Sequence, residues 1–239
     1  MAIALETTAK GTNQTGSSVT SIASNAVATI TGWLAIVVTR TANSVAINAP
    51  TDTAGNIYTA ATAKTASEAN DNSLQVHYCE NITGHASNVV TAHFASAPYV
   101  SVVVAYVSGI ATSSSLNVSD TESPAPEAAS ITSSPWSTVQ GREIVFSVMT
   151  YGDNNLTFSA GAIAGTTGTI ATTSGAANSG DTGLIYRILS TIVSTQTATC
   201  NVSASVNDLQ LHTVSFKAPA PTAAVTGTAT ESITEADIV

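Results

Sequence analysis

Short segments rich in β-branched and aromatic residues recur along this chain, separated by clusters of Gly, Asn, Asp, Ser or Pro, and no segment keeps a helical period. Such segments predict strands joined by turns, because β-branched side chains suit a pleated sheet and the separating residues suit tight turns. We therefore expect an all-β fold, an antiparallel β-sandwich or jelly roll with extended terminal arms. The clearest predicted strands are 26–31, 33–39, 45–48, 57–60, 74–81, 89–94, 99–107, 143–150, 156–159, 184–189, 197–203 and 210–216.

Several predicted strands alternate between the two sides of a sheet. In residues 100–107 one side is wholly apolar, and residues 74–78 show the same parity. Alternation is typical of a strand with one packed face and one open face. This pattern favours a sandwich over a parallel α/β sheet.

The ends of the chain differ in composition from its middle. Residues 1–17 are polar with two glycines, and residues 219–239 begin with Pro219 and Pro221 and continue in Thr, Ala and Glu. We expect an N-terminal arm over 1–17, a β-sandwich or jelly-roll domain over 18–218 and a C-terminal arm over 219–239.

A Pro-containing segment at 118–136 interrupts the strands and is either a domain boundary or a long crossover within one domain. We favour the crossover, because the second half alone offers few strong strands for a core. Residues 32–39 and 43–46 resemble residues 143–150 and 154–157. We attribute this echo to recurring hairpin sequence, not to duplication.

Charge is scarce in this chain. Charged residues make up 9% of it, against about 25% in an ordinary soluble domain. Little repulsion then separates copies, which favours an assembly of this chain with itself and with other proteins. Six basic residues stand singly in a net charge of −9, so no run of phosphates could be neutralised and nucleic-acid binding is not expected.

Targeting and membrane signals are absent from the sequence. The first eight residues lack a basic and then apolar leader, and no apolar run approaches the roughly 20 residues of a membrane helix. We expect neither a leader nor a membrane partner. Cys79 and Cys200, the two cysteines, either pair or remain free thiols.

Catalytic and metal-binding patterns are weak. His77, His85, His93 and His212 show no zinc spacing, and no Gly-x-Ser-x-Gly elbow occurs, so we expect neither an enzyme nor a bound cofactor. Acidic residues in predicted loops are candidate calcium ligands, although no spaced loop motif supports them. These residues are Asp52, Asp120, Glu122 and Asp153.

The two tryptophans are candidates for stacking on a sugar. Trp33 opens a very apolar strand and is expected in the core, which leaves Trp136 as the candidate ligand contact.

One succession of residues resembles a known family. It comprises residues 44–47, then Asp52-Thr53-Ala54-Gly55-Asn56-Ile57-Tyr58-Thr59, then residues 76–82, 88–94 and 102–109. Over about 30–110 this is similar to β-sandwich modules of phage virion proteins and bacterial surface proteins, which carry an Asp-x-x-Gly-Asn-x-Tyr hairpin. Such modules often have a Glu where this chain has Ala105, so any role of that acid is lost here. In the hairpin we expect Gly55 and Asn56 to form the turn and Asp52 to cap its amides.

These features together predict a non-enzymatic phage structural protein on the surface of the virion, assembled in the host cytoplasm. A capsid decoration protein is the leading expectation, and a tail or fibre-base component is the next. The alternative is a secreted or cell-surface carbohydrate-binding or adhesion module.

Overall fold

The computed structural model of this protein describes residues 1–67, 72–122, 127–151, 156–174, 181–206 and 209–221. These residues form twenty strands and no helix, and every strand pairing among them is antiparallel. The predicted all-β antiparallel fold class is confirmed.

The first half of the chain contains eleven strands. They are β1 (Ala4–Asn13), β2 (Val19–Ala23), β3 (Val27–Thr29), β4 (Leu34–Ala42), β5 (Ile47–Asp52), β6 (Thr59–Ala60), β7 (Thr65–Ser67), β8 (Asn72–Cys79), β9 (His85–Asn88), β10 (Val90–Ala97) and β11 (Val100–Ser108).

The second half contains nine strands. They are β12 (Leu116–Glu122), β13 (Ala128–Thr132), β14 (Glu143–Tyr151), β15 (Phe158–Ile163), β16 (Thr166–Thr167), β17 (Thr169–Ser174), β18 (Asp181–Leu189), β19 (Ala198–Val206) and β20 (Gln210–Lys217).

The two halves repeat one topology. The first half has a large sheet in the order β1-β11-β4-β8-β6, with β7 also beside β8, and a small sheet in the order β2-β10-β5. The second half has the matching orders β12-β20-β14-β18-β17 and β13-β19-β15-β16. The sequence echo at 32–39 and 143–150 falls on β4 and β14, which hold the same central place in their sheets. The echo therefore accompanies a repeated architecture.

Three hydrophobic cores show that four sheets are stacked. The first core lies between the sheets of the first half, the second core between those of the second half, and the central core contains side chains of both large sheets. Alternate residues of β4 serve two cores: Leu34, Ile36 and Val38 enter the central core, whereas Ala35 and Val37 enter the first core. The large sheets are thus the two inner layers.

Burial on both faces explains the apolar runs of the inner strands. Every residue of β11 and β14 is buried, and so is every residue of β4 before Ala42. The expected open face of residues 100–107 is therefore covered, because the second half packs on it.

The N-terminal residues differ from the expected arm. Residues 4–13 form β1, which pairs with β11 along its length from Ala4↔Ser108 to Asn13↔Val100. Their polar side chains give little apolar signal, since an edge strand is held largely by backbone hydrogen bonds. Of the expected C-terminal arm, residues 222–239 lie outside the described residues.

The passage between the halves occurs at 109–115, earlier than the predicted crossover. The segment 118–136 contains β13 and most of β12, while Pro124 and Pro126 lie outside the described residues. The passage begins at Gly109, which has φ +73° and lies so close to the backbone of Ala2 that a Cβ would stand 2.1 Å from its carbonyl oxygen. Only glycine fits this turn without a shift of the backbone.

Candidate functional site

The Asp52 hairpin is a closed hydrogen-bonding unit. Asp52 Oδ1 accepts the backbone amide of Asn56 at 2.8 Å, and Asp52 Oδ2 accepts the Asn56 side-chain amide at 2.7 Å and the Tyr58 hydroxyl at 2.9 Å. Gly55 has φ +76°, as a tight turn requires. The Asp52 carboxylate therefore caps the turn that Gly55 and Asn56 form.

Two residues distant in sequence complete this unit. The Asn88 side-chain amide donates to Asp52 Oδ2 at 3.1 Å and to the Tyr106 hydroxyl at 3.2 Å. Asn56 Oδ1 accepts the backbone amide of Thr83 at 2.7 Å, which ties the hairpin to the turn after β8. The unit joins the two sheets of the first half.

The directions of the pKa shifts of Asp52 and Tyr58 agree with this structural role. Burial alone raises the pKa of Asp52, but the hydrogen bonds from Asn56, Asn88 and Tyr58 outweigh burial and hold the pKa below its usual value. Burial and the nearby Asp52 charge raise the pKa of Tyr58. Four donors from this chain already bind the Asp52 carboxylate, three at Oδ2 and one at Oδ1, which supports a structural role for it.

Trp136 lies in the second core. It is 6% exposed, and its backbone pairs with Gln196 in an isolated bridge. The indole faces are covered, so a sugar cannot stack on them. Trp33 is half-buried against the first core.

The candidate calcium ligands are not brought together. Asp120 and Glu122 are neighbours on one face of β12, where burial and the Glu122 charge raise the pKa of Asp120. Asp52 belongs to the hairpin of the other half, and Asp153 lies outside the described residues. In the part of the chain that the structure describes, no group of three His, Cys, Asp or Glu residues could hold a metal ion.

The two cysteines are free thiols in different layers. Cys79 is half-buried on β8 and Cys200 is buried on β19. Cys79 packs against the first core and Cys200 belongs to the second core, so the two inner sheets stand between them.

A polar cluster between the halves was not found from the sequence. His212 on β20 places Nδ1 2.8 Å from Thr62 Oγ1 and Nε2 2.7 Å from Thr65 Oγ1. The Thr65 hydroxyl donates to Gln210 Oε1 at 2.5 Å, and the Gln210 amide donates to the Asn72 carbonyl at 3.0 Å. Local pattern could not reveal this cluster, because Thr65 and His212 are 147 positions apart.

A second feature missed from sequence is an apolar pole. β4 and β14 begin at the same end of the molecule. Arg142, just before β14, donates to the carbonyl of Met1, and the neighbouring Ala2 packs on Gly109, just after β11. Because β11 and β4 are antiparallel, the end of β11 lies beside the start of β4. Among the described residues seven large hydrophobic side chains are exposed, and six of them lie at this end. We call them the apolar pole: Met1, Ile30, Ile57, Val139, Ile188 and Ile192.

Two grooves lie beside the apolar pole, where it is formed by the second half of the chain. One of about 360 Å³ is lined by Val139, Arg142, Ile192, Pro219 and Pro221, among others. An adjoining groove of about 300 Å³ shares Arg142 with it. The exposed fraction is 64% for both Val139 and Ile192.

Comparisons with known proteins give no relative. No family model matches the chain, no curated protein matches it, and no solved structure matches it. The described residues include no helix long and apolar enough to cross a membrane.

Proposed function

We propose that this chain is a non-enzymatic structural protein on the surface of a bacteriophage particle, foremost a capsid decoration protein and otherwise a tail or fibre-base component. The observation that carries the proposal is the apolar pole. The position of six exposed large hydrophobic side chains at one end of the molecule, two of them beside an apolar groove, supports a surface that another protein covers.

The rest of the molecule supports binding over catalysis. The predicted hairpin around Asp52 is held by internal hydrogen bonds, and its resemblance to phage virion modules supports the phage context. Charged residues make up only 9% of the chain, which suits close packing among neighbours. The proposed partners are other virion proteins and further copies of this chain, with assembly in the host cytoplasm and without nucleic acid, membrane or cofactor.

Binding to undecorated particles tests the proposal. The purified chain is mixed with particles of its phage that lack it, and the bound fraction is measured after sedimentation and located by electron cryo-microscopy. We expect saturable binding with the apolar pole against the particle. Val139→Asp combined with Ile192→Asp should lower the affinity at least tenfold, since two buried apolar contacts become buried charges.

Ile170→Asp is the matched control, because Ile170 on β17 is the one exposed large hydrophobic among the described residues that lies away from the pole. This variant should bind like the unchanged chain. Absence of the chain from native particles, together with no binding in the mixture, would overturn the proposal. Repeatable binding on a glycan array with no particle binding would favour a carbohydrate-binding module.

A further inference from the structure

The turn before β14 carries Val139 of the apolar pole and rests on one buried carboxylate. Glu143, the first residue of β14, is fully buried. Its Oε1 accepts the backbone amides of Val139 at 3.1 Å and of Gln140 at 3.3 Å. The Val139 side chain, in contrast, is strongly exposed. The backbone of this turn is therefore anchored on the acid while its apolar side chain is presented to the outside.

Two neighbouring strands hold the acid in place. The Asn117 side-chain amide, on β12, lies 3.3 Å from Glu143 Oε1 and 3.1 Å from Oε2, and the Ser215 hydroxyl, on β20, donates to Oε2 at 2.8 Å. Among the described residues, all donors to Glu143 are neutral. A buried carboxylate without a cation depends on such donors, because each donor lost leaves its charge less compensated.

The first half of the chain contains an equivalent turn. The Thr29 hydroxyl donates to the His85 carbonyl at 3.4 Å and accepts the His85 amide at 3.0 Å. The Thr138 hydroxyl makes the same two bonds with Val193, at 3.5 Å and 2.9 Å. The turns that follow these two threonines and lead into β4 and β14 therefore correspond to each other.

The equivalent turns differ in length and in the residue that closes them. The first turn has three residues between its threonine and Trp33, whereas the second has four between its threonine and Glu143. Leu34 and Ile144, the residues that follow, both enter the central core. Trp33 and Glu143 thus hold the same place, and only the longer turn is closed by an acid.

The shorter turn closes on backbone groups. The Gly32 amide donates to the Ile82 carbonyl at 3.0 Å, and the Ile82 amide donates to the Trp33 carbonyl at 2.9 Å. The first half thus presents its exposed Ile30 without burying a charge in this turn. Because a buried ion is often no more stabilising than an apolar residue of similar volume, Glu143 points to a role in the turn itself.

We infer that Glu143 is the positioning residue of the apolar pole, which holds the second turn in the conformation that presents Val139 to the partner. The inference rests on the proposed binding of the pole to the particle. A turn that is fixed before binding loses less conformational entropy when it meets its partner, so the affinity is higher.

Gln140 extends this effect across the groove of about 360 Å³. Its side-chain amide donates to the Arg142 carbonyl at 3.0 Å and to the Ala218 carbonyl at 2.8 Å. Pro219, the residue after Ala218, lines the same groove as Gln140 and Arg142. Loss of the Glu143 anchor should therefore disturb both walls of the groove.

Amide hydrogen exchange on the chain alone, followed by NMR spectroscopy, is the first test. Glu143→Leu removes every acceptor atom and leaves no buried charge behind. The amides of Val139 and Gln140 should then exchange about tenfold faster than in the unchanged chain. Glu143→Gln keeps one acceptor oxygen in a side chain of the same shape, so it should restore part of the protection.

Binding to undecorated particles is the second test. Glu143→Leu should weaken the binding of the folded chain about tenfold, because the turn must then be ordered during binding. Glu143→Gln should recover part of this loss. An acid that served stability alone would change the urea midpoint of unfolding and leave the affinity of the folded chain unchanged.

Glu80→Gln is the matched control. Glu80 also caps a turn with its carboxylate, since its Oε1 accepts the backbone amide of Ser115 and the Ser115 hydroxyl at 2.6 Å. That turn lies in the passage between the halves, away from Val139 in sequence. This variant should leave the exchange of the Val139 amide and the affinity for particles unchanged.

Each outcome decides the inference. Unchanged exchange in Glu143→Leu overturns it, and so does faster exchange with unchanged affinity. Where Glu143→Leu fails to fold, Glu143→Gln decides, because an acid without a role in the turn would leave exchange and affinity as they are. Failure of the unchanged chain to bind particles overturns the proposed function, and the positioning role with it, before any variant is compared.

Discussion

Gly183 on β18 lies directly beneath the ring of Phe158 on β15. A Cβ at position 183 would stand 2.3 Å from two ring carbons of Phe158, far inside van der Waals contact. β18 belongs to the inner sheet of the second half and β15 to the outer sheet. This contact lets the two sheets approach closely over the second core.

Gly183→Ala should destabilise the fold by about 1–3 kcal/mol, because the added methyl group overpacks a buried site. Urea unfolding followed by circular dichroism measures this change. Phe158→Leu by itself should also lower stability. Combined with Gly183→Ala, however, it should recover part of the stability that Gly183→Ala loses. Simple additivity of the two substitutions would contradict the contact.

Asp52→Asn should lower stability at pH 7 by about 1–2 kcal/mol, since hydrogen bonds to a charged acceptor become hydrogen bonds to a neutral one. The folded-state pKa of Asp52 lies below the usual 3.8, so the ionised carboxylate stabilises the fold. That contribution is present above about pH 4 and is lost as the pH falls through the folded-state pKa. The difference between the variant and the unchanged chain should therefore shrink below pH 3.8.

Asp120→Asn is the contrasting acid substitution. The pKa of Asp120 is raised by burial and by the Glu122 charge, so ionisation of Asp120 opposes folding at neutral pH. We expect this variant to match or exceed the unchanged chain in stability at pH 7. A loss equal to that of Asp52→Asn would contradict the pKa directions of both residues.

Ala164 adopts φ +51° in the turn between β15 and β16. An L-residue in this region is strained, and glycine is not. Ala164→Gly should therefore leave stability unchanged or raise it by up to about 1 kcal/mol. Ala162→Gly, two residues earlier within β15, should instead lose about 0.5–1 kcal/mol in the same thermal unfolding assay. Equal losses would rule out strain at position 164.

Tyr78 and Phe216 form an aromatic contact across the central core, with ring centroids 5.4 Å apart. Phe216→Ala should cost about 3–5 kcal/mol and lower hydrogen-exchange protection in both halves. A double-mutant cycle with Tyr78→Leu should give a coupling of about 0.5–1.5 kcal/mol. Tyr186, which stacks near Phe146, should show less coupling to Phe216. Two separate unfolding transitions would contradict a shared core.

The strands with strong apolar runs were predictable from sequence. The predicted segments 33–39, 99–107, 143–150 and 210–216 correspond to β4, β11, β14 and β20, because β-branched residues dominate each of them. The second buried face was not predictable from the alternation rule. In Val102-Val103-Val104 both parities are apolar, and the sequence does not say which layer covers which side.

Local chemistry predicted one part of the site and not the rest. The Asp52 turn follows from residues within a few positions, whereas Asn88 reaches Asp52 from 36 positions away. Thr65 and His212 meet only because the halves pack face to face. The apolar pole likewise depends on which strand ends point the same way, and composition cannot supply that information.

Burial of the inner strands on both faces has a consequence for sequence variation. In a two-layer sandwich every second residue of a strand faces water and accepts polar replacements. Across β4, β11, β14 and β20 a saturation mutagenesis scan should show intolerance at consecutive positions, without the two-residue rhythm. That rhythm should survive in the first five residues of β10 and of β19, where partly exposed residues alternate with buried ones.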